Sequence, residues 1–224
     1  LAESDLRRAR QYFEEALKIQ RQVYGDAPHP YVAVMLHGLG RVCWAESDLR
    51  RARQYFEEVL RIKRQVYGDA PHRDVAVTLH ELGNVCFAES DLRRARQYFE
   101  DALRMELQVH GDATHRNVAV MLHELGRVCK AESDLRGARQ YYEDALRIKR
   151  QVHGDAPHQD VATTLHELGS VCVAESDLRR ARQYFEDALR MERQMHGDAP
   201  HQDVATTLHE LGTVCLEESD LRRA

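Results

Sequence analysis

The chain has 224 residues, 43% of them apolar and 31% charged, with a formal net charge of −5. That balance belongs to a folded chain, not a disordered one, and its acidic sign argues against a nucleic-acid partner, which calls for a basic face. Apolar runs as long as Val118 to Leu122 are among the longest, far short of the roughly 20 residues of a membrane span, and the early charges of LAESDLRRAR do not read as a signal peptide.

The tract AESDLRRARQYFE restarts with almost no drift at Ala2, Ala45, Ala88, Ala131 and Ala174, every 43 residues, and a sixth copy opens at Glu217. A fixed period in this range marks an array of stacked units, so length counts repeats here rather than domains. Residues 1–29 are predicted to form a lone helix B, over about 4–24. Residues 30–72, 73–115, 116–158 and 159–201 then read as four full units of helix A followed by helix B. Residues 202–224 read as a last helix A, ending near 217, and the start of another helix B, the whole chain forming a single array.

The unit at 159–201 shows the physical pattern. Val161, Leu165, Leu168 and Cys172 share one helical face, which predicts an amphipathic helix A over 159–175. Gly169 lies beside that stripe and recurs as Gly40, Gly83, Gly126 and Gly212. A mid-helix glycine costs about 1 kcal/mol against alanine, so its recurrence predicts a helix contact too close for a side chain. Ser176-Asp177 breaks the pattern, with Asp177 as N-cap of helix B over 178–196. Leu178, Ala181, Phe185, Ala188, Leu189 and Met191 or Glu192 mark the core stripe of helix B and its edge, while Arg182, Glu186 and Arg190 form a solvated column. Gly197 is expected to be a left-handed C-cap. Such a hairpin cannot bury both faces alone; stacking makes the core.

Leu165-x2-Leu168-Gly169-x2-Cys172 and Ala181-x3-Phe185, with Ala188 beyond, resemble the tetratricopeptide-repeat signature W-x2-L-G-x2-Y…A-x3-F. Leu165 and Cys172 stand where that pattern has Trp and Tyr. The tract Asp160 to Gly169, DVATTLHELG, is similar to the long-repeat type of kinesin light chains, with His166-Glu167 where that type carries a cargo-holding Asn-Asn pair. The resemblance implies an all-α fold, a right-handed superhelical solenoid of helical hairpins. It also implies a concave groove, lined by the A helices, that takes a peptide or protein segment.

On helix A, Thr163, His166, Ser170 and Val173 form a second stripe about 100° from the core stripe. The candidate partner-binding residues are therefore His37, Arg41 and Trp44; His80, Asn84 and Phe87; His123, Arg127 and Lys130; His166, Ser170 and Val173; and His209 and Thr213. Core positions hardly vary between repeats, whereas the position after the glycine reads Arg41, Asn84, Arg127, Ser170, Thr213, and the one three residues on reads Trp44, Phe87, Lys130, Val173, Leu216. Drift on a solvent face would produce the same variation, but solvent does not favour Trp44 and Phe87, and aromatics with Arg anchor interfaces.

Histidines form ladders at 37/80/123/166/209 and 29/72/115/158/201. No histidine pair lies at i, i+4, and rungs one repeat apart are too distant to share an ion, so neither a metal nor a cofactor is expected. The expectation is instead that His166 polarises or hydrogen-bonds a bound chain, or that the loop His158 caps helix A. The cysteines at 43, 86, 129, 172 and 215 read as reduced thiols packed in the core, which suits a cytoplasmic setting. Cys172 lacks an activating neighbour, which argues against an enzyme. The sequence thus points to a protein-binding scaffold. The alternative is a structural array joining head to tail, since Phe13, Ala16 and Leu17 lack a preceding helix A and Leu208, Leu211 and Cys215 lack a following helix B.

Overall fold

The computed structural model describes residues 2–25, 27–68, 70–111, 115–154, 156–197 and 199–221. Among the described residues there are ten α-helices and no strand. They are α1 (Ala2–Tyr24), α2 (Pro30–Ala45), α3 (Leu49–Tyr67), α4 (Arg73–Ala88), α5 (Leu92–His110), α6 (Arg116–Ala131), α7 (Leu135–His153), α8 (Gln159–Ala174), α9 (Leu178–His196) and α10 (Gln202–Leu221). Even-numbered helices are the A helices and odd-numbered ones the B helices. Helices α1 to α5 belong to one compact unit, residues 1–111, and α6 to α10 to a second, residues 112–224.

Each A helix is joined to its B helix by a turn of minimal length. After α2, the Cys43 carbonyl accepts the Asp48 N–H at 2.8 Å and the Trp44 carbonyl accepts the Ser47 N–H at 2.9 Å, the paired bonds that end a helix through a left-handed residue. That residue is a serine, not the customary glycine: Ser47, Ser90, Ser133 and Ser176 have φ between 60° and 63°. The next residue at once caps the following helix, the Asp48 carboxylate accepting the Arg51 N–H at 3.1 Å and the Asp177 carboxylate the Arg180 N–H at 3.1 Å. The last tract behaves differently. Helix α10 continues to Leu221 and Ser219 stays helical, its hydroxyl donating to the Leu216 carbonyl at 2.9 Å, in place of the expected end near 217. A left-handed serine is disfavoured on its own; it forms where a packed B helix follows, and no described helix follows α10. The B-to-A turns carry the expected glycines, with one correction. Gly68, Gly154 and Gly197 have positive φ but ψ of −149°, −145° and −140°, outside the left-handed helical region and close to one that is essentially glycine's alone.

The core of the first unit gathers Leu17, Leu36, Leu39, Val59 and Ile62. In the second unit Tyr142, Leu146, Leu165 and Leu168 form one cluster, and Cys172, Phe185 and Val214 another. The recurring glycine is explained by an aromatic ring. Phe56, Phe99, Tyr142 and Phe185 are fully buried, and a Cβ placed on Gly40, Gly83, Gly126 or Gly169 would lie 2.7, 2.5, 2.7 or 2.6 Å from them respectively. Phe13 of α1 rests elsewhere, against Gly38, where a Cβ would approach it to 2.6 Å. The corresponding residues in the later repeats are Glu81, Glu124, Glu167 and Glu210.

Tyr142 is the one tyrosine among these rings, and its hydroxyl is buried without a partner; burial pushes its pKa up. Tyr142→Phe, the residue used in the other repeats, is therefore expected to raise stability by about 1 kcal/mol, since an unsatisfied buried hydroxyl is destabilising. Urea unfolding followed by circular dichroism measures this, and a loss of stability would contradict the burial of a bare hydroxyl.

The exposed column of helix B is as expected at Glu186 and Arg190, but its first residue is not simply solvated. Arg53 bonds Glu89 at 3.0 Å and Arg139 bonds Glu175 at 2.8 Å, and Arg10 pairs with Glu46 and Arg182 with Glu218 in the same way. Each arginine thus ties a B helix to the end of the A helix that follows it.

Candidate functional site

The second stripe of helix A resolves into two levels. Its histidines form the lower level, lying against the buried rings of the B helices. The His37 ring is 5.5 Å from Phe56, His80 5.9 Å from Phe99, His123 5.2 Å from Tyr142 and His166 5.3 Å from Phe185. Burial holds the pKa of His37 down to about 4, helped by Lys63 and Arg41, and that of His123 to about 4, helped by Lys149. Both rings are neutral at physiological pH and offer hydrogen bonds rather than charge. His80 Nε2 lies 3.3 Å from the Asn84 amide and His123 Nδ1 3.4 Å from the Thr164 hydroxyl. Nε2 of His37 and of His166 are buried without a hydrogen-bond partner. His209, on α10, is exposed.

The upper level differs between the units. In the first, Arg41 is exposed, Trp44 is 40% exposed and Phe87 is half-buried. Phe13, Arg41, Trp44 and Glu81 border a hollow of about 460 Å3. In the second unit the corresponding side chains are already engaged. Arg127 donates to Glu124 at 2.7 Å, and Lys130 donates to Glu167 at 2.9 Å and to the Ser170 hydroxyl at 2.8 Å. Val173 is half-buried, and the Thr213 hydroxyl donates to the His209 carbonyl at 3.2 Å.

Three charged side chains beneath this face acquire their setting only in the structure. Lys63 donates to the Thr78 hydroxyl at 2.9 Å and the Asp74 carbonyl at 2.8 Å; Lys149 does the same with Thr164 at 2.8 Å and the Asp160 carbonyl at 3.2 Å. Glu192 occupies that place in the next repeat. One of its oxygens accepts from the Thr207 hydroxyl at 3.1 Å, the other is buried with no hydrogen-bond partner, and burial raises its pKa. Glu192, His166, Asp203 and Thr207 line a smaller hollow of about 160 Å3. The signal for these groups in the sequence is a charged residue at the edge of the helix B stripe together with a threonine in the next helix A.

The other histidine ladder caps the A helices, as expected of His158: its Nδ1 accepts the Asp160 N–H at 3.1 Å, and His29, His72 and His201 do likewise at 3.3, 3.1 and 3.2 Å. Ladder spacing does not reveal what lies on top of them. The last residue of each preceding B helix stacks on the capping ring: Tyr24 on His29, Tyr67 on His72, His153 on His158 and His196 on His201, with ring centres 3.4 to 3.5 Å apart. The thiols offer no nucleophile within the core. Cys43, Cys86, Cys129 and Cys172 are reduced and buried, and burial pushes Cys86 and Cys172 up to about 11. Cys215 is reduced but exposed, not packed in the core as expected, because no described helix follows α10 to cover it. No described helix is long and apolar enough to cross a membrane.

Against known families, the sequence matches the tetratricopeptide repeat over residues 1–65, 74–151 and 117–194. No curated protein matches it. Among solved structures, BtubC (BKLC) from P. vanneervenii aligns with a TM-score of 0.79 at 21% identity, covering 98% of this chain and 86% of that one. A putative kinesin light chain from Podosopora anserina with nearly identical TPR-like repeats aligns with a TM-score of 0.72 at 18% identity, over 88% of this chain and 92% of that one. A singly substituted form of that same protein gives 0.73 at 18% identity, over 87% and 90%. At such identities the likeness is one of fold. The sequence match, by contrast, covers most of the chain and coincides with the A–B hairpins and their glycine-to-ring contacts, and on that ground the chain belongs to the tetratricopeptide-repeat family.

Proposed function

We propose that this chain is a scaffold that holds an extended peptide or protein segment on its A-helix face, with the principal anchors in the first unit. Tetratricopeptide repeats in general serve protein–protein interaction. The observation that carries the reading is Trp44, left 40% exposed beside Arg41 at the edge of a hollow of about 460 Å3. Trp and Arg at a recess are the residue types that dominate binding energy at interfaces. Lys130 and Arg127, paired within their own unit, would have to give up partners to do the same. Below the anchors the neutral His37 ring offers a main chain a hydrogen bond once the chain reaches its buried, unpartnered Nε2.

Trp44 is the only tryptophan in the chain, so its emission reports occupancy of this face. Peptides selected from a random library on the intact chain are expected to shift that emission. Replacing Arg41, Trp44, Asn84 and Phe87 with Ala removes that reporter, so binding to the substituted chain is read by calorimetry, and it is expected to weaken by about 1–3 kcal/mol per anchor. The melting temperature should hardly move, as surface changes stay within about 0.5 kcal/mol. Undiminished binding to the substituted chain sinks the reading, as does a collapse of the melting temperature, which would put these residues in the core.

A second reading, association of the 224-residue chain with itself, is favoured by one contrast on α10. Leu208 is 44% exposed, whereas Leu165, at the same place in α8, is 1% exposed. Leu216, about two turns further along the helix, is 68% exposed. Docking of a second copy's α1 there would be heterologous and would build chains rather than two-fold dimers. Light scattering across a concentration series separates the readings, a ligand-free scaffold staying at one mass.

A further inference from the structure

The four stacked ring pairs at the B-to-A turns are not equivalent. At the ends of α1 and α3 the outer ring is a tyrosine, Tyr24 or Tyr67, and the Tyr67 hydroxyl donates to Asp74 at 3.4 Å. In the second unit it is a histidine, and the change removes that contact without replacing it. Nε2 of His153 and Nε2 of His196 are each buried with no hydrogen-bond partner. A carboxylate stands beside each pair: Asp160 Oδ2 is 4.0 Å from His153 Nε2 and 3.8 Å from His158 Nδ1, and Asp203 Oδ2 is 3.8 Å from His201 Nδ1. The ligand-capable atoms of His153, His158 and Asp160 all lie within 4.8 Å of one another, and so do those of His196, His201 and Asp203.

We propose that each of these two clusters binds a divalent first-row transition ion of the Zn2+ type through two imidazoles and one carboxylate, with water completing the shell. Imidazole and carboxylate are the donors such ions prefer, and three protein ligands with an open position form a complete set. The lone pairs of parallel rings run side by side instead of converging, and Nδ1 of His158 and of His201 each accepts a backbone N–H, so the capping ring tilts out of the stack and gives up that bond as the ion enters. The two sites differ in strength. Asp160 Oδ2 also accepts from the Arg116 guanidinium at 3.3 Å, a cation that competes with the metal, whereas Asp203 Oδ2 accepts from the neutral Gln159 amide at 2.8 Å. The His196/His201/Asp203 site is therefore the tighter.

The first unit supplies the control variants. Tyr24 and Tyr67 occupy the place of His153 and His196 in turns that fold, so His153→Tyr and His196→Tyr keep the stack and remove a ligand. Calorimetric titration of the untagged chain with Zn2+ in a non-coordinating buffer is expected to lose one bound equivalent in each single variant and two in the double variant. The tighter phase should disappear with His196→Tyr. Asp203→Asn keeps both rings and is expected to weaken that phase by about tenfold or more, so the test survives if a tyrosine variant folds poorly. Co2+ is expected to give visible absorption bands with the parent chain that the double variant lacks. A double variant that binds as many ions as the parent, which means adventitious binding to other surface histidines, overturns the proposal. So does a parent chain that takes up no Zn2+ below millimolar concentration.

Discussion

Phe99→Ala is expected to destabilise the protein by about 3–5 kcal/mol, the range for emptying a fully buried phenylalanine. Gly83→Ala, which adds one methyl group in the opposite sense, is expected to be destabilising as well, although alanine is the better helix former by about 1 kcal/mol. The reason is the 2.5 Å approach of the added Cβ to the Phe99 ring, in a place where that ring is enclosed; overpacking of this kind costs about 1–3 kcal/mol. Gly212 provides the comparison, since it occupies the same place in the repeat and a Cβ there meets nothing within 4 Å. Gly212→Ala is expected to stabilise by up to about 1 kcal/mol. Phe99→Leu in the Gly83→Ala background should recover part of the loss, a coupling that a double-mutant cycle measures. Urea midpoints that move the same way for Gly83→Ala and Gly212→Ala would remove the steric explanation for the repeated glycine.

Stability is expected to fall as the pH drops from 6.5 towards 4, with His37 and His123 contributing much of the slope. In the folded chain both rings titrate near 4, because they are buried and face lysine and arginine, Lys63 and Arg41 for one and Lys149 and Arg127 for the other. Asp74 acts in the opposite direction at His37, as do Glu167 and Asp160 at His123. The unfolded chain takes up protons at about 6.5. Above that pH neither state is protonated at these rings and they contribute nothing; below it the unfolded state gains protons that the folded state refuses, so unfolding is favoured. A displacement from 6.5 to about 4 corresponds to at most about 3 kcal/mol per ring, reduced to about 1–2 because the rings are partly exposed and screened. His37→Gln with His123→Gln should therefore flatten the dependence between pH 6.5 and 4.5 relative to the parent. Parallel stability curves for parent and variant would show that these rings are not held neutral.

What can be read from the sequence follows the reach of the contacts involved. Val161, Leu165, Leu168 and Cys172 declare a buried face because helical spacing alone brings them together, and Gly169 stands out as a residue that propensity would not choose. Asp177 and His158 are legible as caps, since each acts on a backbone N–H only two or three residues away. Glu192 reads as an edge residue, yet it is buried, because its burial depends on the Thr207 hydroxyl one helix further on. Stacking of His153 on His158 is hidden for a related reason. It joins the end of one helix to the start of the next, and the glycine between them, with a ψ few residues adopt, sets the approach. Phe13 shows the same limit: the tract around it repeats elsewhere almost letter for letter, yet its ring rests on Gly38 of the following helix, whereas Phe56, Phe99 and Phe185 rest on a glycine of the preceding one.

The sameness of the glycine-to-ring contacts bears on how the chain finds its fold. Phe56, Phe99 and Phe185 fit Gly40, Gly83 and Gly169 through the same surfaces, so side-chain chemistry scarcely distinguishes the correct neighbour from the one a repeat away. Choice among them falls to the tether. The short serine–aspartate turn brings adjacent helices together at little entropic cost, while skipping a repeat would strand 43 residues in a loop and a longer closure is always less favourable. Contacts this local are associated with folding in about microseconds to milliseconds. The same degeneracy makes a slipped pairing, once formed, difficult for the side chains themselves to recognise as an error, so that accuracy during folding rests on reach rather than on recognition.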